Sequence, residues 1–338
     1  MAVSLPSGVD PTCLLAVLAD GRLHSGAWLA RELGVSRAAV GKGIERLRVG
    51  GIEVRALARR GYCLPKPVEL LDARHIRAAL GRGRELKLRH MEVLFEVDST
   101  NARLLATPPP PAGHADVCLS ELQHAGRGRR GRRWIAPFGG SIAMSLGWAF
   151  RDAARASPTL SLAVGVAICR ALGRAGARGI HLKWPNDVWL NDRKIGGVLL
   201  ELRTDASGPA HVVIGIGLNV SLSAAARREI EASGVRVAAV ADACPEAVSR
   251  NRTVGALLDE LLSMLGQFER EGFAPFRDAW MALDALCDRP ARVLAGDRVI
   301  SGTARGVDAD GALLLESGGR LQRFVSGEVS LRLTEGVM

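Results

Sequence analysis

The sequence lacks the features of a secreted, metal-binding or membrane-spanning protein. Its six cysteines, at positions 13, 63, 118, 169, 244 and 287, form no C-x-x-C pair and no cluster with histidine. This pattern argues against a zinc site and against a disulfide framework. No stretch approaches the length of uncharged apolar residues that crosses a membrane, and the N-terminus has no basic head before a long apolar run. We therefore expect a reduced, cytoplasmic protein with no membrane contact and no metal site of its own.

Two common catalytic signatures are also missing. There is neither a Walker sequence, G-x-x-x-x-G-K-[ST], nor a G-x-S-x-G elbow, which argues against a P-loop NTPase and a serine hydrolase. Acidic residues are fewer than basic ones, 35 against 45, and the net charge of +10 favours nucleic acid, nucleotide or acidic protein partners. With 338 residues, 48% of them hydrophobic, the chain has ample material for two or three domains.

One loop is the first candidate for a binding site. Five arginines and three glycines occupy the eight positions 126–133, directly after a strand-like run at 117–123. Glycine lets backbone N–H groups approach a ligand closely, and arginine offers forked donors with permanent charge. The pattern predicts a loop that binds an anion and is loose without one. The alternative is a solvated basic turn. Two features argue against it: Trp134 at the end of the loop, and a second segment with glycines and lysines at 183–197.

The N-terminal region has the pattern of a winged helix-turn-helix. Apolar spacing predicts helices at 12–19, around 28–33 and at 37–48, and alternation predicts a two-stranded wing at 52–64. The predicted DNA-binding residues are Ser36, Arg37, Lys42, Arg46, Arg59 and Arg60. The third helix would enter the major groove, and the arginines of the wing would lie near phosphates. A structural subdomain that touches no DNA is the alternative.

Beyond a Pro-Lys-Pro connector at 65–67, the pattern changes twice. Strands and helices interleave up to about residue 288, which predicts a mixed α/β sheet. Short strands separated by Gly-Asp, Asp-Gly and Gly-Gly turns follow, and they predict a small β-barrel. We therefore expect an α/β (α+β) multidomain protein with domains at 1–66, 67–288 and 289–338.

Two separated stretches now offer cations and glycines, the arginine-rich loop and a segment centred on Lys194. Trp134 adds an aromatic face for a base. This combination suits a nucleotide whose phosphate is attacked by a carboxylate, because arginine forks orient both anions and a lysine stabilises charge at the α-phosphate. The residues alone predict a nucleotide-dependent enzyme fused to a DNA-binding domain.

Several motifs in combination closely resemble those of the biotin protein ligases. They are DSTN at 98–101, GRGRRGRRW at 126–134, KWPND at 183–187, KIGG at 194–197, GIGLN at 215–219 and GEVSLR at 327–332. With the winged N-terminus the likeness covers nearly the whole chain and points to the bifunctional branch, which also represses the biotin operon. It implies a central domain similar to class II aminoacyl-tRNA synthetases.

The resemblance implies a two-step reaction and assigns residues to it. Biotin's carboxylate attacks the α-phosphate of ATP, with Mg²⁺, and the resulting biotinyl-adenylate delivers biotin to a lysine of the biotin carboxyl carrier protein of acetyl-CoA carboxylase. Lys194 and Arg129 would be catalytic. The implied biotin-binding residues are Ser99, Thr100, Asn101, Gln123, Arg127, Gly128, Arg129 and Lys194. The implied nucleotide-binding residues are Arg132, Trp134, Asn219 and Arg332.

The regulatory half of the resemblance implies a homodimer that binds operator DNA. Ligand would strengthen DNA binding if the filled loop joined the dimer surface. One departure concerns Gly41 and Gly43, which stand where the family's repressors carry larger polar residues able to read bases. Base discrimination should therefore be weak. The alternatives are a ligase with a non-regulatory winged domain, a lipoate-type ligase, and a repressor that only senses a small acid.

Overall fold

The computed structural model describes residues 9–81, 83–152, 156–203, 210–295, 298–325 and 329–333. Three regions follow one another along the chain: a helical unit with a hairpin, a seven-stranded mixed sheet flanked by helices, and a five-stranded sheet. Within these described ranges, no helix is long and apolar enough to cross a membrane. The predicted order of architectures is confirmed.

The N-terminal region is a winged helix-turn-helix. Its elements are α1 (Pro11–Leu18), α2 (Gly26–Glu32), α3 (Arg37–Val49), β1 (Arg55–Leu57) and β2 (Gly61–Cys63). The Ser25 hydroxyl accepts a hydrogen bond from the Trp28 N–H at 3.2 Å, and the Ser36 hydroxyl accepts one from the Ala39 N–H at 3.1 Å. Both serines therefore cap helices. The strand predicted from residue 52 begins later, because Ile52 and Val54 are buried in the core of this unit.

This unit packs against the central region instead of standing on a free linker. Leu122 of the central region belongs to the same buried cluster as Ile44 and Leu47 of α3, and Phe95 and Phe138 pack against that cluster. The residue directly after the connector is also held, since the Val68 N–H donates to the Ala19 carbonyl at 2.8 Å. The recognition helix and the central sheet thus share a hydrophobic contact.

The central region is built on a mixed sheet. Its strands are β3 (Leu88–Val97), β4 (Ala115–Gln123), β5 (Ser141–Phe150), β6 (Ile180–Lys183), β7 (Asp187–Leu190), β8 (Arg193–Arg203) and β9 (Ala210–Asn219). Its helices are α4 (Ala73–Ala78), α5 (Thr100–Leu105), α6 (Leu160–Arg174), α7 (Ala224–Glu231), α8 (Arg250–Glu271) and α9 (Ala274–Leu283). The strand order is β3-β4-β5-β9-β8-β7-β6, and β3 and β4 are the parallel pair while the other pairs are antiparallel.

The pleat of β9 explains why one face of this sheet is core and the other can hold a ligand. Successive side chains of a strand point to opposite faces. Val212, Ile214, Ile216 and Leu218 are buried in the main core with α6 and α8. The intervening positions carry glycines and Asn219 on the face that the short helix α5 contacts. This glycine-bearing face is where the predicted site residues meet.

The C-terminal region continues the same core. Its strands are β10 (Pro290–Ala295), β11 (Arg298–Val307), β12 (Leu313–Ser317), β13 (Arg320–Phe324) and β14 (Val329–Leu333), in the order β13-β12-β11-β10-β14. All recorded pairs are antiparallel. Val293 and Leu315 lie in one buried cluster with α6 and α8. The described strands thus form a sheet, and its closure into a barrel and the domain boundaries stay predictions.

Candidate functional site

The arginine-rich loop has a defined backbone shape. The Gly128 N–H donates to the Arg132 carbonyl at 2.7 Å, and the Trp134 N–H donates to the Gly126 carbonyl at 2.8 Å. A short 3-10 turn covers Arg129–Gly131. The loop therefore closes on itself as a hairpin. Its backbone hydrogen bonds offset part of the repulsion among its arginines. That the loop is loose without a ligand stays a prediction.

A buried hydrogen-bond network forms the floor of the site beneath this loop. Ser99 caps α5 through the Ala102 N–H at 3.5 Å. The Gln123 side-chain oxygen accepts from the Thr100 backbone N–H at 2.9 Å and from the Thr100 hydroxyl at 3.2 Å. The hydroxyl of Ser145 lies 2.7 Å from the Thr100 hydroxyl and 2.5 Å from the Asn101 amide oxygen. The predicted biotin-binding residues of α5 and β4 are therefore brought together.

Glycines on β8 and β9 leave the space that these groups occupy. A Cβ at Gly217 would stand 2.7 Å from two atoms of the Trp134 ring, and a Cβ at Gly215 would stand 2.9 Å from two atoms of the Asn101 amide. Real Cβ atoms do not come so close, so any larger residue would displace the network. A Cβ at Gly197 would stand 3.3 Å from two atoms of the Lys194 side chain. The missing side chains of Gly215 and Gly217 thus make room for the Asn101 amide and the Trp134 ring.

Cations and one carboxylate meet at the open end of the floor. The Lys194 ammonium lies 2.5 Å from an Asp187 carboxylate oxygen, and it stands 5.8 Å from the centre of the Trp134 ring. The Arg129 guanidinium donates to the Asn186 side-chain oxygen at 3.1 Å. Burial lowers the pKa of Arg129, and the charge of Asp187 opposes that shift. This end of the pocket presents partly desolvated positive charge, which suits an anion.

The proposed nucleotide end contains two unpaired buried polar atoms. Asn219 is 1% exposed, and its amide N–H₂ donates to the Ala238 carbonyl at 3.2 Å. Among the described residues, the Asn219 side-chain oxygen and the Trp134 ring N–H have no hydrogen-bond partner. Because buried polar groups are ordinarily paired, both atoms fit contacts to a polar ligand such as a nucleotide base.

The other two predicted nucleotide-binding residues are Arg132 and Arg332. The Arg132 side chain is exposed on the loop, and its backbone carbonyl is what holds Gly128. Arg332 pairs with Arg292 across β14 and β10, and the structure describes its backbone alone. Residues 327 and 328 of the closing motif lie outside the described residues. The roles of both arginines stay predictions.

The predicted DNA-binding residues fall into two groups. Arg37, Lys42, Arg59 and Arg60 are exposed, and Ser36 is exposed while capping α3. Arg46 differs, because its guanidinium forms a 3.0 Å ion pair with Glu96 of β3. Glu96 also lies 3.3 Å from a ring nitrogen of His124, at the start of the arginine-rich loop. In this conformation Arg46 therefore contacts the central region.

The structure corrects the interpretation of one glycine of the recognition helix. Gly43 is buried against α1, and a Cβ there would clash with Val9 and stand 2.9 Å from Leu14. Gly43 is therefore a packing position. A larger side chain there would meet α1 and could not reach a base. Gly41 has open space around it, so the expectation of weak base reading applies to Gly41 alone.

Several site elements were not predicted from the sequence. Ser145 and Glu201 join the floor, and Asn186 holds Arg129. Residues 236–238 run beside β8, where the Lys194 N–H donates to the Arg236 carbonyl at 2.9 Å and the Ala238 N–H donates to the Lys194 carbonyl at 3.0 Å. The helix α7 before them was also missed. These contacts fix the position of Lys194 through its backbone.

A mainly apolar cleft of about 220 Å³ borders the site on the other side of Arg129. It shares Arg129, Asn186 and Leu199 with the surroundings of the site, and its remaining lining comes from the start of α6 and the outer half of β8. The hydrogen-bonding residues of the floor do not line it. We therefore place ligand chemistry at the floor and the cation cluster.

Comparison with known proteins identifies the family. Residues 96–219 match the Biotin/lipoate A/B protein ligase family, residues 286–332 match the Biotin protein ligase C terminal domain, and residues 14–63 match an HTH domain. The chain is 39% identical over 328 residues to the Bifunctional ligase/repressor BirA of Escherichia coli strain K12, covering 96% of this chain and 98% of that protein. This chain belongs to the family of bifunctional biotin ligases and repressors.

Two further relatives agree with this membership. The Biotin--[acetyl-CoA-carboxylase] ligase of Paracoccus denitrificans is 35% identical over 239 residues, which cover 70% of this chain and 98% of that protein. A solved structure of the biotin protein ligase from Aquifex aeolicus, in complex with biotin and ATP, covers 73% of this chain and all of its own, with 25% identity and a TM-score of 0.61. The predicted biotin ligase with a helix-turn-helix repressor domain is confirmed.

Proposed function

We propose that this biotin ligase uses the floor and the cation cluster for the two half-reactions assigned to them above. The observation that carries the proposal is the position of Lys194, which stands beside Asp187, Trp134 and Gly197 at the open end of the network. The biotin-binding set would be Ser99, Thr100, Asn101, Gln123, Arg127, Gly128, Arg129 and Lys194. Trp134 and Asn219 would hold adenine, and Arg132 and Arg332 would also contact the nucleotide.

In the first half-reaction, a biotin carboxylate oxygen bonds to the α-phosphorus of ATP, and pyrophosphate leaves with the electron pair of the broken P–O bond. Lys194 would stabilise the charge that develops on the α-phosphate oxygens, because a preorganised cation in a partly dry site acts more strongly than in water. Asp187 would hold Lys194 in place, and Arg129 would orient the carboxylate. Lys194 and Arg129 are therefore the catalytic residues of this proposal.

In the second half-reaction, the amine of a carrier-protein lysine bonds to the acyl carbon, and AMP leaves with the electron pair of the mixed anhydride. We propose the biotin carboxyl carrier protein of acetyl-CoA carboxylase as the acceptor, which the name of the Paracoccus relative supports. The reaction would take place in the cytoplasm, in keeping with the six free cysteines of the structure.

Magnesium would arrive with the nucleotide. Among the described residues, no group of three or more His, Cys, Asp and Glu side chains is arranged to hold a metal ion. Mg²⁺ commonly binds through substrate phosphates with only one or two carboxylates, so the donor set fits an ion carried by the triphosphate. Its charge would neutralise the phosphates while Lys194 and Arg129 hold the reacting ends.

The test is incubation of the full chain with radiolabelled biotin, ATP and Mg²⁺, with and without carrier protein. We expect labelled biotinyl-adenylate in the absence of carrier and labelled carrier in its presence. Lipoate in place of biotin is the control for the other branch of the family. Labelling by lipoate and not by biotin would overturn the proposal.

We also propose that a homodimer of the protein binds operator DNA and does so more tightly when the adenylate is bound. The HTH match and the exposed set Ser36, Arg37, Lys42, Arg59 and Arg60 support DNA contact, and Arg46 would join them once released from Glu96. One winged helix covers a half-site, so two-fold pairing extends recognition. The test is binding of upstream biotin-gene DNA against scrambled DNA, with and without biotin and ATP. Equal competition and an unchanged dimer fraction would refute it.

A further inference from the structure

Glu201 joins the arginine-rich loop to the floor of the pocket. One carboxylate oxygen lies 3.2 Å from the Arg127 guanidinium, and the other accepts a hydrogen bond from the Asn101 side-chain N–H₂ at 2.7 Å. Arg127 lies on the loop, and Asn101 is 4% exposed on α5. A single carboxylate therefore holds two parts of the proposed biotin site, the loop through one oxygen and α5 through the other.

This contact decides which way the Asn101 amide points. The nitrogen end faces acceptors, the Glu201 oxygen at 2.7 Å and the Leu199 carbonyl at 3.5 Å. The oxygen end then faces the Ser145 hydroxyl at 2.5 Å. The Glu201 carboxylate, which is paired with the Arg127 guanidinium, has acceptors alone, so it cannot satisfy the reversed amide.

The orientation of Asn101 determines which hydroxyl donates and which accepts along the network, because each hydroxyl has a single proton to donate. An amide oxygen only accepts, so Ser145 must give its proton to Asn101. Ser145 then accepts from the Thr100 hydroxyl, which lies 2.7 Å away. The Gln123 oxygen receives the Thr100 backbone N–H at 2.9 Å. The one Thr100 hydroxyl proton thus has two acceptors inside the protein, the Ser145 oxygen and the Gln123 side-chain oxygen at 3.2 Å, and the Thr100 oxygen offers its lone pairs to a ligand.

We infer that Glu201 is a positioning residue that sets the hydrogen-bond polarity of the pocket floor, so that Thr100 accepts a hydrogen bond from an N–H group of the ligand. The inference rests on the proposed function, because biotin is the ligand with such groups. The cyclic urea of biotin carries two N–H donors, whereas the dithiolane ring of lipoate carries none. Glu201 thereby selects for the urea without contacting it.

Replacement by glutamine tests the polarity with little change in shape. A glutamine amide can present its N–H₂ group to the Asn101 oxygen, so in Glu201→Gln the chain of hydrogen bonds from Asn101 can reverse. Asn101 then donates to Ser145 and Ser145 donates to Thr100, which occupies a lone pair of the Thr100 oxygen that would otherwise accept from the ligand, while the Thr100 proton stays on the Gln123 side-chain oxygen. Glu92→Gln is the matched control, because Glu92 forms a 3.0 Å ion pair with Arg103 on the same short helix but takes no part in the network.

The experiment measures calorimetric dissociation constants of the full chain for biotin and for two cyclic-carbamate analogues, in which one or the other urea N–H is replaced by a ring oxygen. The natural protein and Glu92→Gln should prefer biotin over at least one analogue by about 100-fold. Glu201→Gln should bind biotin about tenfold more weakly, and its preference over that analogue should fall by about tenfold or more.

A structural role alone would weaken all three ligands equally, so an unchanged preference in Glu201→Gln overturns the inference. If Glu201→Gln does not fold, Ser145→Ala answers instead, because it breaks the network while leaving the contact of Glu201 with Arg127. Retention of the full preference in Ser145→Ala would likewise overturn the inference. If the natural protein binds no biotin, it is the proposed function that fails.

Discussion

The pocket and the recognition helix contain the same residue types, but their surroundings give them different roles. In the pocket, Lys194 and Arg129 are held by Asp187 and Asn186 from the neighbouring turn. On α3, charged side chains such as Lys42 stand exposed in water. Partly buried charges held at a fixed position suit catalysis, whereas exposed charges suit a salt-sensitive phosphate surface.

The glycines show the same contrast. Gly217 lies under the Trp134 ring on a strand that faces the ligand site, so its missing side chain leaves room for an aromatic face. Gly43 lies under Val9 and Leu14 within the helical unit, so its missing side chain leaves room for α1. Both positions require close approach, and only the three-dimensional neighbours separate a binding role from a packing role.

The largest expected effect would show that adenylation depends on the pocket and DNA binding on the recognition helix. Lys194→Ala should lower the rate of adenylate formation by about two to three powers of ten, because the removed cation acts on charge that appears in the transition state. Its DNA binding without ligand should be unchanged. Lys42→Ala should have the reverse pattern, with weaker DNA binding and normal adenylation. Single-turnover adenylation and DNA titration of both variants are the measurements.

The comparison breaks if either variant impairs both activities while remaining folded by circular dichroism. Near-normal adenylation by folded Lys194→Ala would remove the catalytic assignment of this residue. The backbone contacts of Lys194 with residues 236–238 do not involve its side chain, so the truncation should leave the local structure intact.

A smaller effect is expected from the loop. Arg129→Gly should release biotinyl-adenylate about tenfold faster, because the loop loses a forked donor at the anion and its anchor on Asn186. Arg133→Gly controls for the added backbone freedom, since this side chain is exposed on the same loop. Dissociation of labelled intermediate and labelling of bystander lysines measure the release. Equal retention in both variants would contradict a lid role for Arg129.

The sequence predicted the residues that form local motifs and missed those whose partners are distant. Gln123 and Asn219 end strands and Lys194 lies at the start of one, so their convergence was foreseeable. Glu201 and Ser145 lie inside apolar strands, and their roles depend on the register that pairs β5 and β8 with β9. Only tertiary pairing places Glu201 beside Asn101, 100 residues earlier in the chain.

Arg46 was predicted as a DNA contact, and its ion pair with Glu96 was missed for the same reason. Its position on α3 follows from helical spacing, but Glu96 lies 50 residues away on a strand whose docking against α3 has no local signal. The ion pair is largely exposed, with 61% and 36% of the two side chains accessible. Its contribution should therefore be small, at most about 1 kcal/mol.

The smallest predicted effect tests whether this pair competes with DNA. Arg37 makes no recorded ion pair within the described residues, so Arg37→Ala should weaken DNA binding at every sequence and reduce the salt slope by about one. Arg46→Ala should weaken DNA binding less than Arg37→Ala does, because Arg46 must first break its ion pair with Glu96 before it can contact a phosphate. Glu96→Gln should strengthen binding by about two- to fivefold, since it frees Arg46 at the cost of a weak surface pair.

Fluorescence anisotropy of labelled DNA across a salt series distinguishes these cases. If Glu96→Gln leaves the affinity unchanged while Arg46→Ala equals Arg37→Ala, then Arg46 reaches DNA without opposition from Glu96, and the two regions are electrostatically independent at this contact.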